Sequence, residues 1–234
     1  MTISALIPAY NEAERIAATI AAVRAIPGVT EIIVVDDGST DDTAKVAEAA
    51  GADAVLRQAH AGKGAALNTA FALSSGSIVL LLDADLGASA KEAEKLLSPI
   101  LHGAAEMTIA TLPAGTGKGG GMGLAVNLAR NGIERLTGRR MSAPLSGQRG
   151  LRRHVVETVG GFAEGWGAEV ALTVRAIRAG FRVIEIPTEM THRVTGRRPA
   201  DILHRFAQYR AVRHVLAELR LPDEVALANA KGKP

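Results

Sequence analysis

The first hundred residues switch repeatedly between short apolar runs and amphipathic stretches. TISALIP (2–8) and EIIVV (31–35) are short, β-rich and apolar, as strands buried on both faces of a sheet are. Between them Ile16, Ile20 and Val23 recur on one side of a 3.6-residue period. That spacing predicts a helix over about 12–25, with Asn11 as its cap. PG at 27–28 breaks the chain before the second strand. A second helix is predicted from Asp41 or Asp42 through Ala50, and a third strand in GADAVL (51–56). A third helix in GKGAALNTAFALSS (62–75) and a fourth strand in SIVLLLD (77–83) follow. Strands alternating with helices predict an α/β fold, a mostly parallel central sheet with helices on both faces. Ligands of such sheets gather outside the carboxyl ends of the strands, where residues 8–12, 36–39 and 83–85 fall.

The pattern loosens afterwards. A helix is predicted at 89–101 and a strand in AEMTIAT (105–111). PAGTGKGGGMG (113–123) then holds six glycines in eleven residues, which regular structure does not tolerate. Its backbone N–H groups suit a phosphate, and a linker of no chemical consequence is the other reading. It is not a Walker A loop, because no Lys-Ser/Thr pair follows at the required spacing. A helix resumes at about 123–137, FRVIEIP (181–187) reads as a late strand, and 200–220 as a basic amphipathic helix. Leu203, Phe206, Val212, Val215, Leu216 and Leu219 fall towards one side of that helix. The stripe suits packing against the body of the protein, or contact with a membrane surface. With no internal repeat and no linker, 1–234 reads as one domain.

Composition narrows the classes. The 234 residues are 47% apolar and 22% charged, enough for a sizeable core. Cysteine is absent, which excludes disulfides and thiolate metal sites and suits a reducing compartment. MTISALIPAYNE has no basic segment ahead of an apolar one, and the longest apolar run, 78–82, is far too short to span a bilayer. A cytoplasmic protein is expected. Charge is uneven: residues 1–100 carry 7 Lys/Arg against 13 Asp/Glu, and 101–234 carry 20 against 11. An acidic first half and a basic second half suggest anionic ligands held between them. Nucleic acid is disfavoured, since there is no zinc-finger spacing and only 3% aromatic residues for base stacking.

Four short motifs carry the chemistry. IPAYNE leaves the first strand as an extended turn with Asn11 and Glu12 available. VVDDGSTD leaves the second with adjacent carboxylates, a glycine for a tight turn, and Ser39, Thr40 and Asp41 to cap the next helix. A carboxylate there can accept hydrogen bonds from a base N–H or from ribose hydroxyls. In GKG, Lys63 lies between Gly62 and Gly64 at a helix start, well placed for an anion. Asp83 and Asp85 end the fourth strand, one residue apart and pointing the same way, where like charges repel unless a proton or a cation sits between them. A solvated turn would show the same pair; paired hard oxygens are also what Mg2+ or Mn2+ needs when it coordinates ligand phosphates.

The series IPAYNE, VVDDGSTD, GKGAALN and LLDADL, in that order, resembles the large family-2 type of glycosyltransferases with the GT-A fold. The match runs from residue 3 to about 87, and more loosely to about 193. The resemblance implies that Pro8, Ala9, Tyr10, Asn11, Glu12, Asp36, Asp37, Gly38 and Lys63 line a nucleotide-sugar site. It implies that Asp83 and Asp85 hold the metal that bridges the donor diphosphate, with Ala84 between them lining the donor site. Residues 1–100 then form the nucleotide-sugar half, 101–198 the acceptor half, and 199–234 a C-terminal helix and tail.

In the second half, PLSGQRGLRR (144–153) resembles the acceptor-side segment of that family, which points to Gly147, Gln148 and Arg149. It lacks the Q-x-x-R-W of processive polysaccharide synthases, so polymerisation is disfavoured. GGFAEGWGAEVALTVRAIRAG (160–180), with Trp166, resembles the segment in which inverting members place a catalytic Asp after an acidic residue. Here the matching position is Glu169, preceded by Ala168, so the acidic pair is missing. Glu169 is open to three roles: general base, acceptor orientation, or helix cap. MTHRVTGRR (190–198) is similar to enzymes that glycosylate 3-phosphoglycerate, which have a metal-binding His there. That likeness marks His192 as a third ligand beside Asp83 and Asp85, against the plainer reading of an exposed loop histidine. Arg193, Arg197 and Arg198 suit an anionic acceptor, because guanidinium pairs bidentately with phosphate.

The expected reaction is metal-dependent transfer of a sugar from a UDP- or GDP-sugar to a phosphorylated acceptor. A small acid such as 3-phosphoglycerate and a polyprenyl phosphate at the membrane surface are the two acceptor classes, and a homodimer is left open. Inversion follows from the overall resemblance and retention from the likeness to phosphoglycerate-glycosylating enzymes. A nucleotidyltransferase is disfavoured, since PAYNE stands where its Gly-rich, Arg-bearing phosphate loop would be. A non-catalytic nucleotide-sugar binding module would keep DDGS without needing Asp85, Glu169 and His192 together.

Overall fold

The computed structural model describes residues 1–113, 122–163, 165–191 and 199–219. In its first half, β1 (Ile3–Ala9), α1 (Ile16–Arg24), β2 (Val29–Asp36), α2 (Thr43–Ala49), β3 (Ala54–Arg57), α3 (Lys63–Leu73) and β4 (Ile78–Leu81) alternate as the apolar pattern predicts. A 3-10 segment, Gly87–Ala93, then runs into α4 (Glu94–Leu101), where the sequence reads as one continuous helix. The chain continues through β5 (Met107–Thr111), α5 (Met122–Thr137), β6 (Arg149–Arg152), α6 (Arg153–Val159), α7 (Ala168–Arg178), β7 (Val183–Pro187) and α8 (Pro199–Glu218).

The seven strands form one sheet in the order β3-β2-β1-β4-β6-β5-β7. All neighbours are parallel except β6, which runs antiparallel to both β4 and β5. Side chains alternate across the sheet as the period of two requires. Leu6, Ile33, Val35, Val79 and Leu81 bury against α3, α5, α6, α7 and α8. Ile7, Ile32, Val34, Ile78 and Leu80 bury against α1 and α4 on the other face.

Two features depart from the sequence pattern, each for a local reason. Strand β6, RGLR, has no apolar alternation, and its neighbours make it a strand. Its Leu151 is wholly buried, and a Cβ on Gly150 would lie 2.8 Å from Thr108 Oγ1, so only glycine lets β5 approach. Helix α1 begins at Ile16 rather than near residue 12, with Arg15 at its N-cap position and no side-chain cap. Asn11 is engaged elsewhere: at φ 55° it accepts from Thr40 N at 2.8 Å and donates its own N–H to Ser39 Oγ at 2.9 Å. It ties the loop after β1 to the loop after β2 instead of capping a helix.

At the far end, α8 packs against α5 and α7 through buried Val212, Val215 and Leu216. Glycines make room for it: a Cβ on Gly132 would lie 2.4 Å from Leu216 Cδ1, and one on Gly167 2.4 Å from Val215 Cγ2. This part of the apolar stripe is therefore spent on the body of the protein. Among the described residues no helix is long and apolar enough to cross a membrane.

Candidate active site

Strands β1, β2 and β4 end side by side, and the loops that leave them wall a cavity of about 390 Å3. Pro8, Ala9, Tyr10 and Glu12 come from the β1 end, Asp37 from the β2 end, and Asp83, Ala84 and Asp85 from the β4 end. The start of α3 supplies Gly62 and Lys63, preceded by His60, and Gly165 closes the wall from the second half.

Asp36 and Asp37, adjacent in sequence, are placed in different surroundings. Asp36 ends β2 and is fully buried; its Oδ1 accepts from Ser39 N at 2.9 Å and its Oδ2 lies 3.3 Å from Arg57 Nε. It shapes the loop from beneath and does not line the cavity. Asp37 does line it, but its carboxylate is occupied. It accepts from Gln58 Nε2 at 2.7 Å, from Ala61 N at 2.9 Å, from Gly62 N at 2.8 Å, and meets His60 Nδ1 at 2.9 Å. Asp37 thus builds the 58–62 loop. Gly38, at φ +83°, is pressed against that loop, where a Cβ would lie 2.9 Å from His60 N. The loop in turn presents the His60 ring to Tyr10, with ring centroids 4.7 Å apart. Because the Asp37 carbonyl also accepts at His60 Nδ1 (3.0 Å), the proton sits on Nδ1. His60 escapes the motif reading, although QAH at the carboxyl end of β3 follows the same rule that flags the other strand ends.

The centre of charge lies where the two halves of the chain meet. Lys63 Nζ is 2.7 Å from Asp83 Oδ1 and 2.9 Å from Glu169 Oε1, and Gln148 Nε2 donates to Asp83 Oδ2 at 2.5 Å. Burial alone would lower the Lys63 pKa, but the charges and hydrogen bonds of Asp83 and Glu169 outweigh it, and the pKa is raised. The ammonium is held fully charged. Antiparallel β6 makes the meeting possible, since its first residue pairs with the last of β4 (Arg149 opposite Leu81). Gln148, just ahead of β6, therefore enters the cavity region beside Asp83. Gly147 must be small: a Cβ there would sit 2.3 Å from Lys63 Nζ.

Arg149 lies wholly beneath the site, donating from Nε to Ser146 O and from Nη1 to Thr173 Oγ1, each at 2.9 Å. Burial pushes its pKa down to about 10 against the raising influence of Glu169 and Glu185, so it stays charged at neutral pH. Its Nη2 has no hydrogen-bond partner among the described residues. It lines a small cavity with Lys63, Gly147 and Glu169 and is not part of the wall formed by the strand ends. Asn68, the last residue of GKGAALN, clamps the glycine-rich approach to α7. Its Nδ2 donates to Phe162 O and its Oδ1 accepts from Phe162 N, both at 2.9 Å.

The structure thus brings Pro8, Ala9, Tyr10, Glu12, Asp37, Lys63, Asp83, Ala84 and Asp85 to one cavity, with Gly147, Gln148 and Glu169 at its inner edge. Asn11, Asp36 and Gly38 support its loops instead. Trp166 falls in a 3-10 turn, Gly165–Gly167, but its side chain lies outside the described residues, as do His192, Arg193, Arg197 and Arg198. Among the described residues no three His, Asp or Glu side chains gather as a closed metal cluster.

A parallel α/β sheet interrupted by one antiparallel strand, with a carboxylate pair in a cavity at the β4 end, is the architecture of a GT-A glycosyltransferase. The chain belongs to glycosyl transferase family 2, whose model matches residues 4–160. It is 33% identical over 207 residues to polyprenol monophosphomannose synthase from Mycolicibacterium smegmatis, covering 82% of this chain and 78% of that protein. Over 110 residues it is 37% identical to glucosyl-3-phosphoglycerate synthase from the same organism, covering 43% of this chain and 36% of the relative. The crystal structure of glucosyl-3-phosphoglycerate synthase from Mycobacterium tuberculosis, in complex with Mn2+, UDP-glucose and phosphoglyceric acid, superposes with a TM-score of 0.76. That match has 29% identity and covers 93% of this chain and 79% of the other.

Proposed function

We propose that the protein transfers a sugar from a UDP- or GDP-sugar to a phosphorylated small acceptor such as 3-phosphoglycerate, with Mg2+ or Mn2+ as cofactor. The observation that carries this reading is the convergence of Lys63, Asp83, Asp85 and Glu169 at the carboxyl end of the sheet, drawn from both halves of the chain. The donor set fits a hard divalent cation: carboxylate oxygens one residue apart on one cavity wall, in a chain with no cysteine. Among the described residues no group of three His, Asp or Glu side chains is placed to close around a metal, which leaves coordination positions for diphosphate oxygens. Asp83 and Asp85 would hold the cation, which when bound neutralises the negative charge developing on the departing diphosphate.

The protein's own groups divide the remaining work. Asp37, through the 58–62 loop, and Tyr10 with His60 shape the end of the cavity that receives the nucleoside. Lys63 adds positive charge to the diphosphate end. The acceptor oxygen bonds to the anomeric carbon as the bond to the diphosphate breaks, and the electron pair leaves with the phosphate. An acceptor hydroxyl gives up its proton to Glu169, whose carboxylate reaches the site on the first turn of α7. Residues 1–100 serve the donor and 101–198 the acceptor, whose anionic end suits the excess of Lys and Arg after residue 100. The reaction belongs to the cytoplasm.

The second reading is transfer to a polyprenyl phosphate at the membrane surface. It is supported by the likeness to polyprenol monophosphomannose synthase, of which this chain spans 78%. Membrane contact would then be peripheral. A screen of UDP- and GDP-sugars with Mg2+ or Mn2+, with and without 3-phosphoglycerate or a short polyprenyl phosphate, separates the readings. The expected result is metal-dependent release of the nucleoside diphosphate, accelerated by the phosphorylated acid. Full turnover by an Asp85→Ala variant would overturn the assignment of the metal site, and nucleotide binding with no turnover would favour a binding module.

A further inference from the structure

The Asp83 carboxylate already has a cation on it. Lys63 Nζ is 2.7 Å from Oδ1, while Gln148 Nε2 donates to Oδ2 at 2.5 Å. The same ammonium reaches Glu169 Oε1 at 2.9 Å, so it bridges the end of β4 and the first turn of α7. It has little slack. A methyl group at Gly147 would come within 2.3 Å of it. A divalent cation bound to the same carboxylate would lie roughly 5 Å or less from this ammonium, where like charges in a partly desolvated site repel strongly. Asp83 can therefore serve the ammonium or the metal fully, but not both.

We propose that Lys63 is an intramolecular counter-cation of the metal site. Without a donor, it neutralises Asp83 and holds Glu169 against it. When a diphosphate arrives, the ammonium exchanges Asp83 for phosphate oxygen and leaves the carboxylate to the metal. Metal and nucleotide thus bind in concert, each tightening the other, and by linkage the coupling is the same in both directions. The inference rests on the reading of Asp83 and Asp85 as the metal ligands. It adds that the lysine opposes the metal before the donor binds and supports it afterwards.

The test is Mn2+ binding, followed by electron paramagnetic resonance of the free ion, on nucleotide-free protein and again with UDP. Lys63→Met removes the charge and keeps the length of the side chain. Without nucleotide it is expected to bind Mn2+ about tenfold or more tighter than the wild type, the equivalent of one charge-assisted hydrogen bond no longer competed for. UDP should then tighten Mn2+ binding less in the variant than in the wild type. Lys63→Arg, which keeps the charge, should not show the tighter nucleotide-free Mn2+ binding. Lys63→Gln carries the same expectation as Lys63→Met should the latter fail to fold.

Unchanged or weaker Mn2+ binding by the neutral variants would overturn the proposal, because a lysine that merely braces two carboxylates would leave a splayed, poorer site when removed. Absence of Mn2+ binding in every variant and in the wild type, even with UDP, would instead sink the metal-site reading on which it rests.

Discussion

Gly147 offers a way to disturb the charged centre without touching any charged residue. In Gly147→Ala the new methyl carbon would lie 2.3 Å from Lys63 Nζ and 3.0 and 3.1 Å from the two Asp83 carboxylate oxygens. Ordinary contact for a carbon is about 3.5 Å, so the ammonium must retreat by roughly 1 Å. Its contacts of 2.7 Å with Asp83 and 2.9 Å with Glu169 cannot both survive that shift. A hydrogen bond to a charged group contributes about 1.5–3 kcal/mol, and each 1.36 kcal/mol lost from the transition state is about tenfold in rate. Since Lys63 gives up Asp83 when the donor binds, the cost falls on its contacts with Glu169 and the diphosphate, and loss of one of these predicts a fall in kcat/KM of about 10- to 100-fold. The backbone raises no objection: Gly147 is not among the glycines with positive φ, so alanine fits its conformation. Stability should fall by about 1–2 kcal/mol, because the restriction alanine places on the unfolded chain offsets only part of the lost contact. Steady-state kinetics with the donor identified by screening, beside a thermal melt, reads both quantities. A folded variant with wild-type kcat/KM would refute the reasoning, because it would mean that a displaced Lys63 costs the reaction nothing at Glu169 or at the diphosphate.

Two further outcomes follow from contacts away from the cations. Asn68→Ala removes both bonds to Phe162, and a loss of about 1–3 kcal/mol in unfolding free energy, measured by denaturant titration, is expected; an unchanged midpoint would show that the clamp is dispensable. Glu106 accepts from Arg182 Nη2, Nε and backbone N, and these bonds hold its pKa down at about 2, well below the 4.5 usual for a glutamate. A depressed carboxylate stabilises the fold above its unfolded pKa and loses that contribution as pH falls from about 4.5 towards 2. Arg182 is 59% exposed, so solvent screening keeps the effect small. Arg182→Met should flatten the melting temperature against pH across this acid window, and a profile parallel to the wild type would exclude the pair as its source.

How far the fold could be read from the chain depended on what each segment's own side chains had to bury. Strands β1, β2, β4 and β5 are legible because Ile, Val, Leu and Met fill them, as a strand covered on both faces requires. Strand β6 is not, because its two arginines and one glycine resemble a loop, and only the gap between β4 and β5 makes them a strand. At the site, Asp83, Asp85 and Lys63 stand out by motif and do meet at the cavity. Asp36 and Asp37 look equivalent in sequence. The last residue of a buried strand and the first residue beyond it have different surroundings, however, and only Asp37 reaches the cavity. The assignment of Asn11 to a helix cap fails because an equally local demand, the adjoining β2 loop, claims the same side chain. Gln148 next to Asp83 is a relation across 65 residues that no spacing rule supplies.

The reversal at β6 also decides what can be separated from what. The Asp83–Gln148 and Lys63–Glu169 contacts cross a seam that the chain closes only after 65 and 106 residues, so no fragment ending before residue 147 contains the charged centre. The first half could keep its own strands β1 to β4 and still lack the partners that set its lysine. Extra residues at the exposed turns around His102 and Gly138 would lengthen that closure at little entropic cost, since the penalty grows only with the logarithm of loop size. The fold therefore leaves room for differing insertions between two fixed halves of one catalytic seam, while the seam itself accepts change only when both sides change together.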